Sequence, residues 1–236
     1  MSSSLIPLHE SFNARVDVVG AEREPVILID NFLAEPEKLV EYAVEHGSEF
    51  FQDSDFYPGI RIPCPMEYVY SVYTHLKRLM FEVFQLPETG VHGQSFYSIV
   101  TLRPDELDEK QRIPHYDIPN RHNIAMMHFL CPNTFGGTSL YHHVGTGFEC
   151  IDEQRVEEFA TALSKEIQRD GPPAPAYMNG DTELFCQIAS YGAEFNRAII
   201  YRSSSLHSGD IPPDYRCDPD PRTGRLSIAS FFKTGL

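Results

Sequence analysis

"QRIPHYDIPN", residues 111–120, sets a histidine and an aspartate two positions apart between two prolines. In an extended segment, side chains at i and i+2 leave the backbone on the same side, so His115 and Asp117 can converge on one point. Imidazole together with carboxylate suits Fe(II), and two histidines plus one carboxylate on a single octahedral face leave three positions for substrates. On its own the pair is equally a polar turn, because His and Asp populate loops readily. The reading turns on whether a second histidine completes the set.

His207, in "YRSSSLHSGDIP" (201–212), is that candidate: it follows an apolar strand-like run and precedes Ser-Gly. Further on, "GRLSIASFF" (224–232) puts Arg225 and Ser227 on one face of a strand and Leu226 and Ile228 on the other. An arginine directed into an apolar interior needs an anion, which a bound carboxylate would supply, with the serine hydroxyl adding a hydrogen bond.

Around these residues lies a chain of 236 residues, long enough to bury a full core, with 42% hydrophobic and 12% aromatic content. Its 34 acidic and 19 basic residues give a formal charge of -15, which repels phosphate backbones and anionic membranes, so nucleic acid is not an expected partner. Five cysteines, at 64, 131, 150, 186 and 217, form no C-x-x-C pair and fit free thiols in a reducing compartment. The N-terminal "MSSSLIPLHESFNARV" lacks signal-peptide character, and no stretch has the apolar length to span a bilayer. A cytoplasmic protein is expected.

The order of elements predicts one domain over 1–236, with a supporting N-terminal part (1–93) and a core carrying the metal site (94–236). Strands are expected at 24–30, 94–102, 123–130, 137–143, 182–188, 195–202 and 225–232. Helices are expected at 34–47, 65–86 and 152–170. Strands joined by turns rather than by alternating helices favour an antiparallel jelly roll with the helices on one outer face, an α+β arrangement that is mainly β.

The order H-x-D, Gly-Gly-Thr ("FGGTSLYHH"), distal His and R-x-S resembles the Fe(II)- and 2-oxoglutarate-dependent dioxygenases over residues 94–232, closest to their prolyl-hydroxylase-like branch. The motifs "QRIPHYD", "GGTSLYHH", "TGFE", "YRSSSLHSG" and "TGRLSIASFF" look like a bacterial family of such proteins with no settled function. The resemblance implies a double-stranded β-helix, a cupin-like jelly roll, with His115, Asp117 and His207 on Fe(II) and Arg225 on the distal carboxylate of 2-oxoglutarate. It also implies O2 as co-reactant, oxidative decarboxylation of the keto acid, and hydroxylation of a small molecule, an amino acid or a peptide-bound residue.

Two departures stand out. The gap from His207 to Arg225 is long and implies an inserted loop, "PPDYRCDPDPRTG". Where the branch often has a tyrosine, this chain has Phe129, so Tyr97, Tyr141 or Ser227 would have to bond the keto acid instead. His143 reads either as a group beside the site or as a structural histidine, His128 as a core histidine, and Arg61 as a loop residue within reach of the opening. Two other functions fit parts of the pattern: a non-catalytic jelly-roll binding protein, and a cupin-like metalloenzyme without a keto acid. Neither gives Arg225 and Ser227 a purpose.

Overall fold

The run "EPVILID" becomes strand β2 (Glu24–Asp30), and its alternation explains the layers of the molecule. Ile27 and Ile29 point into one apolar cluster, while Val26 and Leu28 point into another on the opposite face. A strand buried on both faces reads as a near-continuous apolar run, as this one does. The computed structural model describes residues 5–52, 57–87 and 90–234.

Around β2 the described residues form a seven-stranded antiparallel sheet in the order β1-β2-β8-β5-β10-β4-β3. Its other strands are β1 (Asn13–Val19), β3 (Gly59–Pro63), β4 (Val91–Val100), β5 (Ile124–Phe129), β8 (Arg197–Arg202) and β10 (Leu226–Thr234). A three-stranded sheet, β7-β6-β9, faces it and contains β6 (Gly137–His143), β7 (Phe185–Gly192) and β9 (His207–Asp210). Val26, Leu28, Ala125, Phe129, Ile199 and Tyr201 of the larger sheet meet Leu140 and Tyr191 of the smaller one. Two antiparallel sheets closed over a shared interior are a jelly roll of the cupin-like type.

Helices α1 (Pro36–Glu45) and α2 (Met66–Phe84) cover the outer face of the large sheet. Leu39, Ala43, Val72, Leu76 and Met80 pack there on Ile99, Ile124, Ile200 and Ile228. The third helix, α3 (Val156–Asp170), departs from the expected single helical face. It covers the outside of the small sheet, where Phe159 packs on Tyr141, Phe185 and Leu206, apolar groups that would otherwise face water. Strands β1 and β3 were not expected either. Both are edge strands: β1 leaves Val16 and Val18 largely exposed, and β3 has five residues and ends on a proline, a composition confined to sheet edges.

His128 on β5 ties the large sheet to its helices. Its Nδ1 accepts from the Tyr68 hydroxyl of α2 at 3.1 Å, and its Nε2 donates to Asn196 Oδ1 at 3.1 Å. It is a core histidine as expected, held by two side chains rather than by backbone. Burial lowers its pKa from 6.5 to about 4, with the Asn196 contact opposing the shift. Below pH 6.5 the unfolded chain therefore takes up a proton that the folded chain refuses, and folding stability falls as pH drops towards 4. We expect this residue to remove about 3 kcal/mol across that window. Denaturant titrations at several pH values check it, and His128→Gln should flatten that part of the profile.

Candidate metal centre and its cavity

His115 and His207 pair across an antiparallel bridge that extends the small sheet beyond β9. The His115 N–H donates to the His207 carbonyl at 2.9 Å, and the His207 N–H returns a bond to the His115 carbonyl at 2.8 Å. This reciprocal pair fixes the two imidazoles side by side, ring centres 4.4 Å apart. Asp117 is anchored by its own N–H to the Ser203 carbonyl at 2.8 Å. Its Oδ1 lies 3.8 Å from Nε2 of each histidine, and the three ligand atoms lie within 4.8 Å of one another.

The electrostatics fit a cation. His207 Nδ1 donates to the Ser205 carbonyl at 2.9 Å, which fixes the tautomer and leaves the Nε2 lone pair directed inward. Enclosure, then His207, then Arg61 hold the His115 pKa well below the usual imidazole range, so the ring is neutral and able to ligate. Burial raises the Asp117 pKa against the opposing pull of His207 and Arg61, and its Oδ2 is buried with no hydrogen-bond partner among the described residues. Ligand pairs at right angles on bonds of about 2.1 Å lie about 3.0 Å apart, so modest side-chain rotation closes the set on a transition metal.

These residues border a cavity of about 500 Å³ whose wall includes Tyr57, Arg61, Phe96, Met127, Tyr177, Tyr201, Arg225, Phe231 and Lys233. Arg225 is 2% exposed. Its Nε donates to the Phe135 carbonyl at 2.9 Å and its Nη2 to the Gly137 carbonyl at 2.5 Å. The Gly-Gly turn makes this possible: a Cβ at Gly136 would sit 1.7 Å from the Asp210 carbonyl oxygen, and one at Gly137 2.1 Å from that of Tyr191. The remaining guanidinium protons meet no carboxylate of the described residues. Ser227 faces the same side, its hydroxyl buried beside the Tyr57 phenol. Phe129 occupies the expected tyrosine position, with its ring 5.9 Å from the Arg225 guanidinium.

Neither tyrosine chosen from the sequence reaches this cavity. Tyr97, a neighbour of inward-facing Phe96 and Ser98, takes the opposite pleat and stacks on Tyr42 of α1, ring centres 5.5 Å apart. Tyr141 takes the pleat opposite to inward-facing Thr138 and Leu140 and packs outward beneath α3. Among the phenols near Arg225, Tyr57 lines the cavity beside Ser227, while the Tyr215 hydroxyl accepts from the Arg225 backbone N–H at 2.8 Å. Burial raises the Tyr57 pKa, while Arg225, Arg61 and the Ser227 hydroxyl all lower it. Its ring carries the Arg61 guanidinium at 4.1 Å. The signal in the sequence was "FYPGIRIP", read there as a loop with only Arg61 in prospect.

His143 is structural. Its Nε2 lies 2.7 Å from Glu166 of α3 and its Nδ1 3.0 Å from Thr146, outside the barrel. A second acidic group, Glu22, Glu24 and Cys150, is closed by arginines: Glu24 takes Arg121 and Arg202, and Glu22 takes Arg155. It serves as an ion-pair latch.

With fold and site in place, the class is that of the cupin-like jelly roll, a fold shared with solved structures. A crystal structure of the non-haem alpha-ketoglutarate-dependent carbocyclase SnoK, from nogalamycin biosynthesis, matches 89% of this chain and 80% of its own at 10% identity and a TM-score of 0.51. EctD from S. alaskensis with bound Fe matches 98% of this chain and 87% of its own at 15% identity and a TM-score of 0.45. No curated protein matches the sequence. The chain belongs to the family described as "Family of unknown function (DUF6445)", whose model spans residues 10–232.

Calorimetric titration of metal-free protein with Mn(II) should reveal one site per chain. His207→Ala is expected to weaken it at least about 100-fold, an effect at the upper end for lost metal contacts. His143→Ala, on the far side of the sheet, should leave the affinity unchanged.

Proposed function

We propose that this chain is a non-haem Fe(II)- and 2-oxoglutarate-dependent oxygenase acting on a small molecule or a single side chain. The observation that carries this reading is Arg225: a buried guanidinium with no carboxylate partner among the described residues, opening on the same cavity as His115, Asp117 and His207. An enclosed, permanently charged arginine calls for an anion, and a keto acid that also chelates the metal supplies it. The alternatives without a keto acid leave this charge unexplained.

His115, Asp117 and His207 would hold Fe(II), which when bound supplies the chemistry of activating O2 at the expense of the keto acid. The work of the chain is positional. The Ser205 carbonyl orients the His207 ring, and the backbone bridge sets His115 against it. The Phe135 and Gly137 carbonyls hold the Arg225 fork so that its remaining N–H groups face the cavity. Tyr57 and Ser227 place two hydroxyls beside that fork, in the role the sequence led us to seek at Tyr97 and Tyr141. Phe96, Met127 and Phe231 line the cavity with apolar surface that limits water. A volume of about 500 Å³, shared with a keto acid, admits a small molecule or one side chain.

Adding Fe(II) and then 2-oxoglutarate to metal-free protein without oxygen should produce the visible charge-transfer band of a chelated keto acid. His207→Ala should abolish the band. Arg225→Ala should raise the 2-oxoglutarate concentration for half-formation by at least about tenfold, and Tyr57→Phe should raise it less, by several-fold, matching the loss of a charge-assisted and of a neutral hydrogen bond. Tyr97→Phe and Tyr141→Phe should leave it unchanged. Iron binding without any band would overturn the keto-acid assignment.

A further inference from the structure

The charged side chains along the cavity are at odds with the chain that carries them. Acidic residues outnumber basic ones by 34 to 19 overall. Yet among the described residues the charged groups lining the cavity are Asp117, which belongs to the metal set, and three cations, Arg61, Arg225 and Lys233. A cavity walled by one sign of charge concentrates ligands of the other.

Lys233 is the cation that neither metal nor cosubstrate explains. The inward-facing residues of β10 run Ser227, Ala229, Phe231 and Lys233, with Arg225 immediately before the strand. From 225 to 233 is roughly 27 Å of strand at about 3.4 Å per residue, so one five-carbon keto acid cannot serve both ends. The metal ligands lie between them. Phe231 stands opposite Ala125, Ala125 stands opposite Tyr201, and the Tyr201 ring lies 4.8 Å from the His207 ring. Lys233 is therefore on the far side of His207 from Arg225. It is half-buried, and its ammonium forms no hydrogen bond or ion pair with any described residue. Gln94 lies across from Phe231, diagonal to Lys233 on the same face, and lines the same cavity, while Phe96, Met127 and Phe231 provide an apolar floor.

We propose that the substrate is a carboxylate with an apolar body, its charged end held by Lys233 and Gln94 and its body laid over Phe96 and Phe231 towards the metal. One ammonium and one amide match a carboxylate, which needs a single countercharge and one further donor. The acidic exterior, taken alone, would favour a neutral or cationic substrate. The lining of the cavity reverses that preference locally, because charge inside an enclosed site acts at lower dielectric than charge on the surface.

This inference rests on the oxygenase reading, and one experiment separates the two. Protein is loaded without oxygen with Fe(II) and 2-oxoglutarate, the visible band is recorded, and phenylacetate, phenylacetamide and phenethylamine are titrated in calorimetrically. Phenylacetate should bind at least about tenfold more tightly than the other two, the factor that a partly screened charge pair provides. Lys233→Met should erase that preference and Lys233→Glu should transfer it to phenethylamine, with circular dichroism verifying the fold of both variants. Equal binding of the three probes, absence of binding, or a preference that survives Lys233→Met overturns the proposal. If the band fails to form, the oxygenase reading falls, and the same titrations on metal-free protein still decide whether Lys233 selects a carboxylate.

Discussion

The reciprocal backbone bonds between His115 and His207 are the constraint on which the site depends. They join a proline-flanked segment to a four-residue strand, neither of which has much structure of its own. Once paired, the two residues carry their imidazoles into a single position, and Asp117, two residues on, follows from its own bond to Ser203. The geometry of this candidate set is thus a consequence of strand register. A slip by one residue would turn His115 away from the cavity.

Polarity within the barrel is distributed in the same economical way. The large sheet presents odd-numbered residues of β10 to the interior and even-numbered ones to the helices, so Arg225, Ser227, Ala229, Phe231 and Lys233 form one inward row. At one end of this row the Gly136–Gly137 turn brings backbone carbonyls close enough to orient a guanidinium. At the other end the ammonium of Lys233 stands beside the cavity with an apolar stretch between. Two cationic ends separated by a hydrophobic middle suit two different anions arranged on either side of a metal.

The ionisable groups away from the site illustrate how the same barrel uses similar chemistry for stability. His128 and His143 are as buried as any metal ligand, yet each has both ring nitrogens engaged by neighbouring side chains. Asp117 differs in retaining a buried oxygen with no partner among the described residues. Burying an unsatisfied carboxylate oxygen is costly unless something else occupies the position, which suits Asp117 to the proposed role.

The sequence by itself determined the jelly-roll class, the boundaries of β2 and β6, the common face of Arg225 and Ser227, and the candidate set of His115, Asp117 and His207. Each of these follows from a local period of two or from the order of residues along the chain, and both survive without knowledge of distant contacts. Only the tertiary structure decided which tyrosine stands near Arg225. Tyr97 and Tyr141 were drawn from strands that do build the barrel, but pleat parity sends one under α1 and α2 and the other under α3. Tyr57 precedes a short edge strand between prolines, with no periodicity to betray it. It reaches the guanidinium because β3 pairs with β4 at the far side of the sheet from β2, a neighbourhood set by long-range hydrogen bonds rather than by local sequence.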